Sequence, residues 1–315
     1  MTVFMAGCGD LGTEAGLRFA AAGHRVVGWR RSPEKLPPAI EGAAADLSSG
    51  ELPPVPADTT AVVVAIAADS PTEAAYRAAY VDGLSNVVDA VLRSGAPVRR
   101  VLFVSSTAVY GDAGGGWIDE STAPEPGGFS GRIIREAEGH LASRLRGTGI
   151  TPVVLRLGGI YGPGRTRLID QVRGGSAVVP AEPRFTNRIH RDDAAAAIVH
   201  LCTMDSDPAP VYLGVDNEPA ELGEVLRFLA AELGLPQPPS DTAESGPKAG
   251  GNSGAAGPSA TAATAGGQKT GGEPSRGGNK RCSNALLRST GFEFTYPSFR
   301  EGYRAMLAGV GERHA

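Results

Sequence analysis

Val3-Phe4-Met5-Ala6-Gly7-Cys8-Gly9-Asp10-Leu11-Gly12 opens the chain as an apolar run that passes into three glycines spaced G-x-G-x-x-G. A second apolar run, Arg25-Val26-Val27-Gly28-Trp29, closes on Arg30-Arg31-Ser32. Strand, glycine turn, helix and strand in that order predict the start of an α/β doubly wound parallel sheet with a dinucleotide at its first turn. The glycines have separate duties. Gly7 permits the tight turn, Gly9 lets the backbone approach a pyrophosphate, and Gly12 lets helix pack closely on strand, with Asp10 and Leu11 between them at the phosphate-facing helix N-terminus. A site for NAD would carry an acid at the end of the second strand to bond the ribose hydroxyls, whereas this strand ends on two arginines. The spacing therefore favours NADP, with Arg30 or Arg31 on the 2′-phosphate, because a guanidinium meets a phosphate bidentately. NAD stays open as the alternative, in which case the arginines are a solvated strand end.

Composition narrows the rest. A chain of 315 residues that is 41% hydrophobic can bury a large core and carry a second, smaller domain. A net charge of -4 leaves no basic footprint, so nucleic acid is not the primary ligand. Cys8, Cys202 and Cys282 are odd in number and far apart, which fits a reducing compartment and neither a disulfide framework nor a zinc site. The N-terminus enters the first strand without a basic leader. The longest apolar run, residues 61–68, falls far short of the roughly 18 residues a membrane helix needs. The expectation is a cytoplasmic protein without a membrane partner, for which a homodimer is an open assembly.

Alternating patterns continue through the first half. A third strand should end near Asp46. Residues 60–67 form a continuous apolar run rich in β-branched side chains, suited to a central strand buried on both faces, followed by a helix from Pro71 and Thr72 to Leu92. Residues 101–105 and 151–157 read as further strands, and residues 131–146 and 219–233 as amphipathic helices. These patterns predict a nucleotide-binding domain over residues 1–165, to which 186–217 return. The smaller substrate domain should comprise 166–185, 218–236 and 279–315, with its aromatic C-terminal tail docked on it. Between them, residues 237–278 hold no large aliphatic or aromatic side chain and read as a disordered insertion, with a substrate lid as the functional alternative.

Four blocks together resemble the extended short-chain dehydrogenase/reductases, the NAD-dependent epimerase/dehydratase group. They are the glycine turn at Gly7, Ser105-Ser106-Thr107-Ala108-Val109-Tyr110-Gly111, Leu155-Arg156-Leu157-Gly158-Gly159-Ile160-Tyr161-Gly162-Pro163-Gly164-Arg165, and Ile189-His190-Arg191-Asp192-Asp193. The resemblance implies a Rossmann domain, a small C-terminal substrate domain and a site in the cleft between them. It also implies Asp46 and Leu47 near the adenine, Ala65, Ile66 and Ala67 under the cofactor with Ser105 beside it, and Ser106 at the serine/threonine position of the active site.

The departures bear on chemistry. Catalytic members of the group carry a Tyr and, four residues later, a Lys on one helix face. Here those positions hold Ser130 and Ile134. A serine hydroxyl is too weak an acid to replace the tyrosine unaided, and Ile134 has neither charge nor donor. Tyr110 is the candidate replacement acid, with packing as its other reading. His190 reads more readily as a scaffold residue than as a base. Arg156, Arg165 and Arg167, with Lys280 and Arg281, are candidates for clamping an anionic substrate. Two functions stay open. One is an NADP-dependent oxidoreductase or epimerase-like enzyme on a small substrate, sugar- and nucleotide-linked compounds included, with Ser106 in its active site. The other is a non-catalytic NADP(H)-sensing binding protein.

Overall fold

The computed structural model describes residues 1–241 and 278–314. Its centre is a parallel sheet of seven strands: β1 (Thr2–Ala6), β2 (Arg25–Arg30), β3 (Glu41–Ala44), β4 (Thr59–Val64), β5 (Arg100–Ser106), β6 (Thr151–Leu157) and β7 (Val211–Gly214). Their order is β7-β6-β5-β4-β1-β2-β3. Chain direction therefore reverses its progress across the sheet between β1 and β4, and that switch point is where open parallel sheets bind ligands. Every residue of β1 is buried, as a central strand covered on both faces requires.

Helices cover both faces. Helix α1 (Asp10–Ala21) follows β1. A helical run after β4 comprises α2 (Glu73–Tyr76), a π turn over Arg77–Gly83 and α3 (Leu84–Ser94); Thr72 caps it by accepting from the Ala75 N–H. Helix α4 (Phe129–Leu145) joins α3 on one face, where Val87, Val91, Ile134, Ala137 and Leu141 pack on Phe103 and Val62. On the other face α1 lies beside α6 (Arg191–Thr203), with Phe19, Ala15, Ala194 and Ile198 in the core. A third apolar cluster joins α5 (Arg167–Arg173), α7 (Leu222–Glu232) and α9 (Phe299–Leu307) beyond the C-terminal end of β6.

Three sequence expectations are changed. The sheet has a seventh strand, whose signal was the short apolar run Val211-Tyr212-Leu213. The aromatic C-terminal stretch does not dock as one unit: α8 (Ala285–Ser289) and the following loop place Leu287 and Phe292 in the core with α6, and only Phe299 and Tyr303 join the third cluster. The predicted insertion begins later than its composition suggests. Residues up to Asp241 are held, since Val179 N–H donates to Pro239 O at 2.9 Å and Asp241 N–H to Val179 O at 2.8 Å. Backbone pairing needs no large side chain, so the absence of apolar residues there did not predict its absence. Residues 242–277, and the disorder and lid readings placed on them, lie outside the described residues.

Candidate functional site: two cavities at the strand ends

A cavity of about 710 Å³ opens at the C-terminal ends of β1, β2, β3 and β4. Gly7, Cys8 and Gly9 form its floor, and Gly7 and Cys8 N–H both donate to Trp29 O at 3.1 Å, which ties the turn to β2. Gly7 has φ +94, and a Cβ there would stand 2.5 Å from Ala65 O; a Cβ on Gly12 would collide with Gly7 O. Both glycines are therefore required by close approach of backbone to backbone. Gly9 is the N-cap of α1 and provides no side-chain cap, so the first-turn N–H groups are left for an anion.

The end of this cavity at β2 and β3 is cationic and polar. Arg30, Arg31, Ser32 and Lys35 stand opposite Asp46, Leu47 and Ser48, with Ala65, Ile66, Ala67 and Asp69 along the β4 side. Arg30 Nη1 is buried without a hydrogen-bond partner among the described residues, an unmet donor on the wall of a cavity. Arg31 instead forms a bidentate pair with Asp69, both bonds 2.7 Å, and both side chains are largely exposed. Asp46 accepts from Ser48 Oγ at 2.7 Å and Ser48 N at 3.1 Å, and these bonds hold its carboxyl below the usual range. Burial pushes the Cys8 thiol up to about 12 against the opposing pull of Arg30, so it stays a neutral wall group.

Not every residue marked from sequence lies on this wall. Leu11 is buried in the α1 core, Gly12 packs against Gly7, and the Asp10 carboxylate turns away to Arg165 (3.0 Å) and Arg191 (3.1 Å). Ser105 is also corrected. Its hydroxyl donates to Glu138 Oε1 at 2.6 Å in the layer beneath α4, where Arg156 completes a buried pair through Nε to Oε1 (2.9 Å) and Nη2 to Oε2 (2.7 Å). Arg156 is thereby removed from the candidate substrate clamp. Tyr110 belongs to the same network. It is 2% exposed, receives Arg156 Nη1 at 2.6 Å and donates to Asp119 O, while burial raises its phenol above the ordinary value. Packing is the role its contacts give it. Ser106 alternates to the other side of β5 and accepts from Ala108 N at 3.1 Å, and its own hydroxyl hydrogen meets no acceptor among the described residues. Ser130 lies in the first turn of α4, and Ile134 is buried in the core.

A second cavity, about 880 Å³, lies between the end of β6 and the α5, α7 and α9 cluster. Arg165 and Arg167 line it, together with Arg184 and Arg188, which sequence reasoning missed. Their spacing was a signal, because Arg184, Thr186 and Arg188 fall two apart and an extended segment turns alternate residues the same way. Lys280 and Arg281 are elsewhere. Lys280 is buried and donates to Tyr110 O (3.2 Å) and Gly111 O (3.4 Å), while Arg281 donates to Gly115 O and lies over the Phe185 and Trp117 rings. His190 caps α6 through Nδ1, which accepts from Asp192 N at 3.3 Å; burial lowers it to about 4, so it is neutral at physiological pH. Among the described residues, no group of three or more His, Cys, Asp or Glu is placed to hold a metal, and no helix is long and apolar enough to cross a membrane.

A glycine turn at the switch point, open helix N–H groups and an orphaned guanidinium on the wall define a Rossmann protein whose residues fit a dinucleotide. Residues 7–205 match the model of the NAD(P)H-binding family, and the chain belongs to that family. Its structure is similar to that of a Methylobacillus flagellatus protein assigned to the NAD-dependent epimerase/dehydratases, with 34% identity, a TM-score of 0.72 and 98% of each chain covered. It shares its fold with a Bacillus cereus UDP-glucuronic acid 4-epimerase solved with NAD, at 14% identity, a TM-score of 0.74, and coverage of 97% of this chain and 95% of that one. Among curated proteins it is 36% identical over 122 residues to Protein YeeZ of Escherichia coli K12. That match spans 39% of this chain and 41% of the relative's length.

Proposed function

We propose that the chain is an NADP(H)-dependent oxidoreductase or epimerase-like enzyme, with the cofactor in the first cavity and a small substrate reaching in from the second. The observation that carries the cofactor choice is the unpartnered, buried Arg30 Nη1, with Arg31 and Lys35 beside it on the adenosine side. A 2′-phosphate supplies the acceptor this group lacks, and Arg31 has only an exposed pair with Asp69 to give up, the kind of pair worth about 0–1 kcal/mol.

The nicotinamide supplies hydride chemistry when bound. Strand β5 lies between β4, whose end walls the first cavity, and β6, whose end opens the second, and this order supports Ser106 at its terminus as the reacting-side hydroxyl, although it is not among the residues that line either cavity. Its free hydroxyl hydrogen can donate to a carbonyl oxygen undergoing reduction. No tyrosine acid or lysine supports it from α4, where Ser130 and Ile134 stand. Ile134 in the core also favours a second reading, an NADP(H)-sensing protein without turnover.

Titration calorimetry with NADP(H) and NAD(H) tests the cofactor. The phosphate contact should give NADP(H) at least about a tenfold advantage, lost in Arg30→Asp, and equal affinities in the wild type would refute the assignment. A screen of aldehydes, ketones and sugar nucleotides for NADPH oxidation tests the chemistry. Ser106→Ala should lower any turnover by roughly 100- to 1000-fold, and a silent screen with tight cofactor binding would select the sensor.

A further inference from the structure

We propose that the second cavity is an anion site for a phosphate or carboxylate group of the ligand, with Arg188 as its buried anchor and Arg184, Arg167 and Arg165 around it. Arg188 is 5% exposed. Its Nη2 donates to Thr186 Oγ1 at 2.6 Å, that hydroxyl passes its hydrogen to Ala220 O at 2.9 Å, and Nη1 has no acceptor among the described residues. No described carboxylate lies within ion-pair distance of Arg188, Arg184 or Arg167, and Arg165 meets only Asp10, at the first turn of α1.

The charge around the cavity is one-sided. Among the described residues, four arginines share its wall with one acid, Asp170, whose carboxylate accepts from Thr166 Oγ1 at 2.6 Å. A guanidinium held out of water without a counter-ion is costly, and structures keep one where an anion arrives to pair with it. Asp216, 1% exposed, is an acid whose charge acts on Arg188, and burial pushes its carboxyl up to about 8 against that pull, which weakens it as a counter-ion. The Phe299 ring, 5.5 Å from the Arg188 guanidinium carbon, closes the opposite side and keeps the local dielectric low, which strengthens a charge-assisted bond. Planar guanidiniums select oxyanions that accept two parallel bonds, a geometry phosphate and carboxylate share.

The assignment deepens the functional reading by naming the chemistry of the substrate side, yet it can be read without turnover. Inorganic pyrophosphate and malonate are titrated calorimetrically into the full chain, with and without saturating NADP(H). The expected result is binding of at least one of them that cofactor does not displace, weakened about tenfold or more in Arg188→Met and also in Arg167→Gln/Arg184→Gln. The preferred probe then separates a phosphate from a carboxylate ligand. Arg167 is exposed and Arg184 half-buried, so the double variant decides the matter if Arg188→Met fails to fold. Displacement of the anion by NADP(H) would put it at the glycine turn and overturn the proposal. So would affinity undiminished in the arginine variants, or no binding of either probe at millimolar concentration. Failure of the cofactor titration alone would refute the functional reading and leave these outcomes intact.

Discussion

Replacing Arg156 by methionine separates a structural arginine from a substrate-binding one. In the folded protein Arg156 and Glu138 are 3% and 3% exposed and joined by two charge-assisted bonds of 2.9 and 2.7 Å. Methionine fills a similar volume but leaves the Glu138 carboxylate buried with only Ser105 Oγ at 2.6 Å and the half-exposed Arg135 at 3.1 Å. Breaking a buried pair in this way costs about 3–5 kcal/mol, and the surviving Arg135 contact places the expected loss near the lower end, about 3 kcal/mol. For a chain of this size that corresponds to roughly 4–6 °C in melting temperature. Removing both charges in Arg156→Met/Glu138→Leu should recover most of the loss, because the desolvation of both ions disappears together. Urea denaturation of the wild type, the single and the double variant measures this. A single variant within about 0.5 kcal/mol of wild type, or a double variant no more stable than the single, would refute the argument and return Arg156 to the candidates for ligand contact.

Two further outcomes follow from buried groups. Asp216 is raised to about 8 by burial, so between roughly pH 4 and 8 the folded chain holds a proton that the unfolded chain has released. Its contribution to stability is present below pH 4 and is lost as pH rises through 8. Asp216→Asn should therefore melt close to wild type near pH 4 and increasingly above it towards pH 8, with an upper bound at pH 7 on the order of 4 kcal/mol. Arg188, Glu218, Asp193 and Tyr161 are the charged and titratable neighbours that shape this curve, and a gap that does not change with pH would overturn the assignment. Gly7→Ala should lower both melting temperature and cofactor affinity, since its Cβ would press on Ala65 O at a φ of +94; calorimetric affinity equal to wild type would show that the turn tolerates displacement.

What the sequence made legible is the part written in backbone requirements and periodicity. Gly7 and Gly12 could be assigned because no other residue fits where main chain crosses main chain, and β4 could be seen because Ala61 to Val64, buried on both faces, are apolar without a break. Charged side chains were harder to place, because their role depends on partners far along the chain. Arg31 meets Asp69 38 positions later, Arg156 meets Glu138 on a different element, and Lys280 reaches Tyr110 O across 170 positions. An arginine that reads as a clamp is indistinguishable, in one sequence, from one that neutralises a buried glutamate. Arg184 and Arg188 escaped notice for the opposite reason: the two-apart spacing that relates them runs across two strands of only two and three residues, Phe185–Thr186 and Arg188–His190, each too short to stand out as a strand.

The two adjacent serines show how far the chain has moved from the arrangement its motifs resemble. Residues i, i+4 and i+8 of a helix share a face, and on α4 these are Ser130, Ile134 and Glu138. In place of a proton donor and its lysine, that face now offers a hydroxyl, a core side chain and a carboxylate consumed by Ser105 and Arg156. Ser105 is thereby committed to the core, while Ser106, one residue on and facing the other way, keeps a hydrogen to give. A residue returned to the Lys position alone would enter an apolar cluster and not a site, since Ile134 packs with Ala137 and Leu141 against Phe103. Among the described residues, the hydroxyl that this arrangement leaves at a strand end is that of Ser106, the last residue of β5, and what it offers a ligand is a hydrogen bond and not a titrating acid.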